Sequence, residues 1–180
     1  MVIKNGNVIL RYVKEMDIEN YIRWATIETE WLKWEREVRD MSQFVQYKRD
    51  CLVDGWYFWG QMEVETVCGE HIGWVTCYDA YLDGEEVDAV GIVLPSNSQR
   101  KKGNGLYALT AYMSHLFQKS HTLYVETRSD NIAMIRLAEK VGFTEAGLDK
   151  VAEMDDCVQA IFAITKENFF ERFPNLYVEN

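Results

Sequence analysis

The chain has 180 residues, of which 48% are hydrophobic and 13% aromatic, and its formal net charge is -10 at pH 7. This length and composition fit one packed domain over residues 1–180 and exclude a disordered chain. No apolar stretch is long enough to span a bilayer, nothing resembles a signal peptide, and the acidic balance argues against nucleic acid as the main partner.

The acidic balance and the cysteines also constrain the ligands and the compartment. Excess acid suits a cationic small molecule such as a polyamine or an amino sugar, although it also serves solubility alone. The four cysteines form no C-x-x-C pair, and the three histidines stand at no metal-ligand spacing relative to them. We therefore expect free thiols in a reducing cytoplasm and no bound metal.

The first half of the sequence predicts a strand, one or two helices and then two more strands. The segment VILRYV (Val8–Val13) alternates in hydrophobicity as a strand does. Residues 15–37 place apolar side chains at helical spacing, and Asp17 is a candidate N-cap for that helix. The two further strands are predicted over residues 55–65 and 70–82.

The second half of the sequence alternates strands and helices. An Asp-Gly turn within 83–86 leads into the strand 87–94, whose internal Gly91 suggests a bulge or the close approach of another backbone or a ligand. The later elements are a helix (106–117), a strand (122–127), a helix (129–143) capped by Asp130 or Asn131 and closed by Gly142, a hairpin (146–165) turning at Asp155 and Asp156, and a tail (166–180) that docks on the body. A strand–helix–strand unit makes its two strands parallel, so the predicted fold class is α/β with a mixed sheet.

The segment QRKKGNG (Gln99–Gly105) combines three consecutive basic residues with two glycines ahead of a helix. Amides at a helix N-terminus have no intrahelical partners, and the helix dipole adds partial positive charge, so such an end binds phosphate. Gly103 and Gly105 allow a positive φ and the close approach of a ligand. The alternative is a loop that caps the helix and binds no ligand.

Two nucleotide-binding motifs match this loop less well. Residues Gly103–Ala108 spell G-x-G-x-x-A, and Glu126 stands where a dinucleotide-binding fold places its ribose-binding acid. In that fold the glycines follow the strand almost at once, whereas Pro95–Lys102 intervene here, and the chain lacks a second βαβ half. A P-loop is weaker still, because no G-K-[ST] follows the glycines.

Three segments carry a resemblance to one family. The first segment contains the pattern Q-R-x-x-G-x-G and reads GIVLPSNSQRKKGNGLYAL (91–109). The second joins a strand to a helix that starts at an asparagine and reads LYVETRSDNIAMIRLAEKVGF (123–143). The third supplies a first strand and helix and reads VILRYVKEMDIENYIRW (8–24). Together they are similar to the GNAT superfamily of N-acetyltransferases, and most similar to the branch of ribosomal-protein N-terminal, polyamine and antibiotic acetyltransferases. The resemblance covers about Val8 to Thr165. It implies a GNAT-like fold with a mostly antiparallel central sheet, two splayed parallel strands and flanking helices.

The resemblance implies that acetyl-CoA is the cosubstrate. Its pantetheine arm would pair with backbone groups where the two parallel strands part, after Gly91 and around Glu126, because unpaired buried backbone groups are costly. Its pyrophosphate would lie on the amides of the loop and the helix start. The implied acetyl-CoA-binding residues are Ile92, Val93, Leu94, Arg100, Lys101, Lys102, Gly103, Asn104, Gly105, Leu106 and Asn131, of which Asn131 is also a candidate for a plain N-cap.

The same resemblance suggests which groups act on the thioester. Glu126 stands five residues before Asn131, where some relatives carry a proposed general base, although it is equally well read as a strand-end carboxylate. A backbone N–H of Val93 or Leu94 would bind the oxyanion. Many relatives carry a tyrosine seven residues after the asparagine, as the acid for the thiolate, and here that residue is Ala138. The other candidate acids and bases are Tyr107, Tyr112, Tyr124, Asp88, Glu28, Glu30 and Glu35.

The predicted function is direct transfer of an acetyl group from acetyl-CoA to a primary amine, with a small cationic amine as the leading acceptor. Two alternatives stay open: a protein N-terminus as the acceptor, and a CoA-binding regulatory module that has lost catalysis, as Ala138 suggests. Most of the six tryptophans are expected in the core, and some in a pocket for a cation. We expect no membrane partner, and the resemblance allows a homodimer.

Overall fold

The computed structural model describes residues 2–34, 40–54, 60–150 and 158–176. The strands are β1 (Val2–Asn5), β2 (Val8–Arg11), β3 (Gln61–Thr66), β4 (His71–Leu82), β5 (Glu85–Val93), β6 (Thr122–Arg128), β7 (Thr144–Lys150) and β8 (Val158–Thr165). The α-helices are α1 (Asp17–Thr26), α2 (Met41–Asp54), α3 (Asn104–Leu116), α4 (Ile132–Val141) and α5 (Lys166–Arg172).

The chain divides into two compact units. Unit 1 comprises residues 1–76 and 92–108, and unit 2 comprises residues 77–91 and 109–180. Strands β4 and β5 and helix α3 each contribute residues to both units, because the divisions fall inside these elements.

In unit 1 the strands are hydrogen-bonded in the order β1-β2-β3-β4, and each neighbouring pair is antiparallel. Val8 and Leu10, two residues apart on β2, are both fully buried, as the alternation of the sequence predicts. The sequence prediction missed β1, because Lys4 and Asn5 interrupt its apolar pattern.

Helix α1 begins differently from the prediction. Its N-cap is Met16, which makes no side-chain capping bond, and Asp17 is the first helical residue. The carboxylate of Asp17 instead accepts hydrogen bonds from the guanidinium of Arg11, at 2.6 and 2.8 Å, and from the backbone N–H of Lys14 at 2.7 Å. The prediction of Asp17 as the N-cap is therefore wrong, since this carboxylate is held by the preceding strand and loop.

Helix α2 is absent from the sequence predictions. Its buried face carries Phe44 and Val45, and on the same face Lys48 is only 1% exposed. An amphipathic helix is recognised by a continuous apolar stripe, and a lysine on the inward side breaks that stripe. The buried lysine therefore explains why the pattern of this segment did not predict a helix.

One cluster of buried residues in unit 1 is mainly aromatic. Its members are Ile18, Tyr21, Trp24, Trp31, Phe44, Val45 and Trp74, with Val13, Leu32, Leu52 and Val93 packed against them. Trp24, Trp31 and Trp74 are thus core residues, as expected for most of the tryptophans. Trp56 and Trp59 lie outside the described residues.

In unit 2 the strand order is β4-β5-β6-β8-β7. Strands β5 and β6 run parallel, with Ala89 opposite Tyr124, while β8 is antiparallel to both β6 and β7. Asp83 and Gly84 link β4 to β5 with φ values of 53° and 86°, the geometry of the predicted two-residue hairpin turn. The mixed α/β sheet, mostly antiparallel with one parallel pair, is confirmed.

The helix ends of unit 2 agree with the sequence. Helix α4 is capped by Asn131 at its start, and it ends at Gly142, whose φ is 107° and whose N–H bonds to the carbonyls of the last turn. Helix α5 buries Phe169 completely, with its ring 5.1 Å from that of Phe117, so this part of the tail packs on unit 2. The predicted turn at Asp155 and Asp156 lies outside the described residues.

The described residues hold neither a group of three metal-ligating side chains nor a helix long and apolar enough to cross a membrane. Cys68 and Cys77 are both free thiols. Burial, followed by the nearby carboxylates of Asp88 and Asp79, raises the pKa of Cys77 to about 12. This thiol therefore stays protonated at neutral pH and is a poor nucleophile.

Candidate active site

The end of strand β5 in unit 1 is fixed by a close contact with strand β4. Gly73 has a φ of 154°, and a Cβ atom at this position would lie 2.0 Å from the carbonyl oxygen of Val93. The expectation of a bulge, or of a nearby backbone or ligand, at Gly91 stays a prediction, whereas the close backbone contact at Gly73 was not predicted. The isolated glycine within the apolar run of β4 was the available signal for this contact.

Arg100 folds the basic loop back onto this strand end. Its Nε donates to the carbonyl of Leu94 at 3.0 Å, and its Nη2 donates to the carbonyl of Pro95 at 3.3 Å. From the sequence, Arg100 was expected to offer a positive charge and a backbone amide to a ligand. The structure shows that its side chain also joins the loop to the strand, a role that depends on contacts five and six residues away.

The loop itself makes a tight turn before helix α3. Lys101 has a φ of 61° and Gly103 a φ of 85°, so two residues within three positions adopt the left-handed region. The N–H of Tyr107 donates to the carbonyl of Gly103, which starts the helical hydrogen bonding. The side chains of Lys101 and Lys102 are exposed beside this N-terminus, where the helix dipole also favours an anion.

Asn104 and Gln99 anchor the loop inside unit 1. Asn104 is 2% exposed, and its Oδ1 accepts from Asn7 at 2.8 Å while its Nδ2 donates to the backbone carbonyl of Gln99 at 3.2 Å. Gln99 in turn donates to Glu70 at 2.7 Å. The side chain of Asn104 is thus engaged in holding the loop.

The two predicted site residues of unit 2 lie at the end of β6 and the start of α4. Glu126 is half-buried and stands opposite Ile161 of β8. Asn131 caps α4: its Oδ1 accepts from the N–H of Met134 at 3.3 Å, and its Nδ2 donates to the hydroxyl of Thr127 at 3.1 Å. The capping role expected for Asn131 is therefore confirmed.

The tyrosines and acids suggested for proton transfer differ in their surroundings. Tyr107 is 38% exposed, whereas Tyr112 is fully buried, and burial, followed by its neighbour Cys77, raises the pKa of Tyr112 well above its ordinary value. A tyrosine of raised pKa is a weaker acid, so Tyr112 is poorly suited to protonate a thiolate. Ala138, at the position of the family tyrosine, is fully buried in α4.

The rival carboxylates of unit 1 lie after helix α1. Glu28 pairs through Oε1 with Arg23 at 3.3 Å, and its buried Oε2 makes no hydrogen bond. Glu30 accepts from the amide of Asn97 at 2.7 Å, which links it to the loop after β5. Glu35 lies outside the described residues. In unit 2, Asp88 accepts a hydrogen bond from Ser120 at 2.5 Å.

A family model described as an acetyltransferase (GNAT) domain matches residues 7–144, which is more than half of the chain. The chain belongs to the GNAT acetyltransferase family. The match includes the close contact at Gly73, the loop that Arg100 ties to the strand end, and the cap at Asn131.

Solved structures of other acetyltransferases share the fold. A GNAT-family acetyltransferase from Bacillus anthracis has a TM-score of 0.75 at 18% identity, covering 93% of this chain and 99% of that one. The ribosomal-protein-S5-alanine acetyltransferase from Vibrio fischeri has a TM-score of 0.74 at 14% identity, covering 94% and 98%. The microcin C7 self-immunity acetyltransferase MccE, solved with acetyl-CoA and AMP, has a TM-score of 0.70 at 16% identity, covering 89% and 93%. A search of curated protein sequences finds no match.

These comparisons agree with the branch that the sequence resembles, since a ribosomal-protein acetyltransferase and a self-immunity acetyltransferase are both among the structural neighbours. The GNAT assignment makes the protein an acyltransferase.

Proposed function

We propose that this GNAT enzyme transfers an acetyl group from acetyl-CoA directly to a primary amine. The observation that carries the proposal is the basic glycine loop at the start of α3, which Arg100 ties to the carbonyls that follow β5. This arrangement brings anion-binding amides and a strand end together within unit 1. MccE, which shares the fold, was solved with acetyl-CoA, which supports the choice of donor.

In this proposal the loop and the end of β5 bind different parts of the cosubstrate. The backbone amides from Arg100 to Leu106 bind the pyrophosphate, with Lys101 and Lys102 adding charge. The backbone groups of Ile92, Val93 and Leu94 pair with the amides of the pantetheine arm, as an added strand would. Asn131 of unit 2 is the remaining proposed contact to that arm.

The chemistry requires a neutral amine, an oxyanion donor and a departing thiolate. An alkyl ammonium with a pKa of about 10.4 loses a proton before its nitrogen bonds to the thioester carbonyl carbon. Glu126 is the proposed base, directly or through water, and a backbone N–H of Val93 or Leu94 stabilises the oxyanion. The C–S bond then breaks and the attacking nitrogen releases its second proton to water, which leaves a neutral amide. The thiolate, with a thiol pKa of about 8.5, takes a proton from Tyr107, Tyr124 or water or leaves unaided.

A small cationic amine is the leading acceptor, because the chain is strongly acidic and Glu28 keeps one buried carboxylate oxygen without a hydrogen bond. A protein N-terminus is the second candidate, which the fold similarity to a ribosomal-protein acetyltransferase favours. We also infer a cytoplasmic enzyme, with a homodimer as an assembly to be examined by light scattering.

The function is tested with acetyl-CoA and two sets of acceptors, small amines and short peptides with free N-termini. Release of free thiol that depends on the acceptor supports acetyl transfer. The set of acceptors that causes this release, small amines or peptides, identifies the acceptor class. Saturable binding of CoA in calorimetry without thiol release from any acceptor would instead favour the regulatory module.

The base assignment predicts the behaviour of Glu126→Gln. We expect kcat to fall by about 10² or more and the pH–rate profile to lose the limb that reports the base. The matched control is Glu139→Gln, since Glu139 is an exposed acid on α4 of the same unit. An unchanged pH profile in the Glu126 variant would remove this residue as the base.

The proposed contact of Asn131 can be separated from its capping role. Asn131→Asp keeps the oxygen that accepts from Met134 but removes the Nδ2 donor, whereas Asn131→Ala removes both. We expect the alanine variant to lose about 1 kcal/mol of stability and the aspartate variant to keep most of it, while both raise the KM for acetyl-CoA about tenfold. If only stability changed, Asn131 would be a cap and nothing more.

A further inference from the structure

The core of unit 1 encloses a lysine side chain. Lys48 of helix α2 is 1% exposed, and its Nζ lies 4.6 Å from the centre of the Tyr21 ring, 5.0 Å from that of Trp74 and 5.3 Å from that of Phe44. The three rings also contact one another, with centroids 5.3 to 5.8 Å apart. We call these three rings the aromatic box. Distances below about 6 Å are those at which an ammonium ion is attracted to a ring face.

A buried hydrogen-bond network orients and polarises the ring of Tyr21, which forms one wall of the box. The hydroxyl of Tyr21 donates to Glu63 at 2.5 Å, and Glu63, which is fully buried, also accepts from Gln61 at 2.9 Å and contacts Nε2 of His71 at 2.9 Å. A phenol that donates to a carboxylate carries more negative charge on its ring, which strengthens its attraction for a cation. Burying these polar groups is costly unless they are paired, so this wall of the box is specifically supported.

The box adjoins the strand end that is proposed to receive the thioester. Val93 packs against the aromatic core that contains the box, and Trp74 directly follows Gly73, whose backbone contacts the Val93 carbonyl. The same core has an unused donor, because the indole N–H of the fully buried Trp24 makes no hydrogen bond. A cation site and a free donor thus lie in the core that supports the proposed acetyl position.

We propose that the aromatic box is the ammonium subsite for the acceptor and that Lys48 fills it when no acceptor is bound. This inference rests on the proposed acetyl transfer. The amine that reacts must be neutral, so the group that exchanges with Lys48 is a second, non-reacting ammonium. The acceptor class is therefore an alkyl diamine, or another amine with a second cationic group a few carbons away.

The ammonium site is tested first without acetyl-CoA. In Lys48→Ala, n-butylammonium chloride is expected to raise the Tm in a saturable way by about 3 °C or more, because it restores the missing side chain. The uncharged analogue 1-butanol should do much less. The wild type should not respond beyond a sodium chloride control, and neither should Lys33→Ala, in which an exposed lysine 4.8 Å from the Trp34 ring is removed. Equal rescue by butanol, or no rescue, would overturn the ammonium site.

The acceptor assignment is tested by kinetics in two variants. Lys48→Val vacates the space between the three rings but keeps more packed volume than alanine, so it serves if the alanine variant does not fold. In either variant the KM for 1,4-diaminobutane is expected to fall about tenfold, while the KM values for 4-amino-1-butanol and for acetyl-CoA stay unchanged. An unchanged KM for the diamine, or an equal change for the amino alcohol, would overturn the assignment.

The two proposals fail in distinguishable ways. If the wild type releases no thiol from acetyl-CoA with any amine, the proposed function fails and the acceptor assignment fails with it. The rise in the Tm of Lys48→Ala with butylammonium is measured without acetyl-CoA. It therefore still decides whether the box binds an ammonium ion.

Discussion

Replacing Gly73 with alanine is expected to lower the free energy of unfolding by about 3 kcal/mol or more. The new Cβ would lie 2.0 Å from the carbonyl oxygen of Val93, and the φ of 154° is one that residues with side chains rarely adopt. Because the clashing atom belongs to the backbone, a change of side-chain rotamer does not relieve it. Urea unfolding of both proteins measures the difference.

Gly69→Ala is the matched control for this prediction. Gly69 also has a positive φ, of 84°, but a Cβ added there meets no atom within 4 Å. It should therefore show only the conformational cost, about 1 kcal/mol. If both variants lost the same stability, the close contact with Val93 would contribute nothing.

Gly73→Ala also tests whether CoA binds at the end of β5. Relief of the clash requires the carbonyl of Val93 to move, and Val93 is proposed to pair with the pantetheine arm. We therefore expect the affinity for CoA to fall in Gly73→Ala but not in Gly69→Ala, measured by calorimetry below the Tm of both variants. Unchanged affinity in a folded Gly73 variant would contradict the placement of the cosubstrate at this strand end.

Features that depend on neighbouring residues were predictable from the sequence. The hairpin turn at Asp83 and Gly84, the cap at Asn131 and the end of α4 at Gly142 all follow from local backbone preferences. The basic loop was recognisable for the same reason, since its glycines and lysines lie within seven residues. Its position before a helix is also a local property.

Features that depend on distant partners were not predictable in this way. Tyr21 and Glu63 are 42 residues apart in the chain, and the sequence around either residue does not predict its hydrogen bond to the other. Lys48 reads as a surface residue by composition, because lysine is almost never fully buried unless it is paired. The ring faces that surround it come from α1, α2 and β4 and meet only in the folded unit.

Arg11→Met is expected to lower the free energy of unfolding by about 3–5 kcal/mol at pH 7. Arg11 is 5% exposed and pairs with Asp17 at 2.6 Å and with Glu65 at 2.5 Å, so its removal leaves two carboxylates without their main partner. Arg128→Met is the control, since Arg128 pairs with Asp130, whose side chain is 59% exposed. Loss of that exposed pair should cost about 1 kcal/mol or less.

The pH dependence gives this last prediction a second test. Burial alone would raise the pKa values of Asp17 and Glu65, but the hydrogen bonds and charge of Arg11, together with Lys14 beside both groups and His71 beside Asp17, outweigh burial and hold both pKa values below their ordinary values. In the wild type, the stability that they contribute is present above the ordinary carboxyl pKa of about 4 and is lost as the pH falls through the lowered values. Without Arg11 both pKa values are expected to be higher than in the wild type, because fewer groups then oppose the effect of burial, so protonation costs the variant less as the pH falls. The difference in the free energy of unfolding between the wild type and Arg11→Met should therefore become smaller below about pH 4. A difference that does not change with pH in urea unfolding would contradict a charge-based role for Arg11.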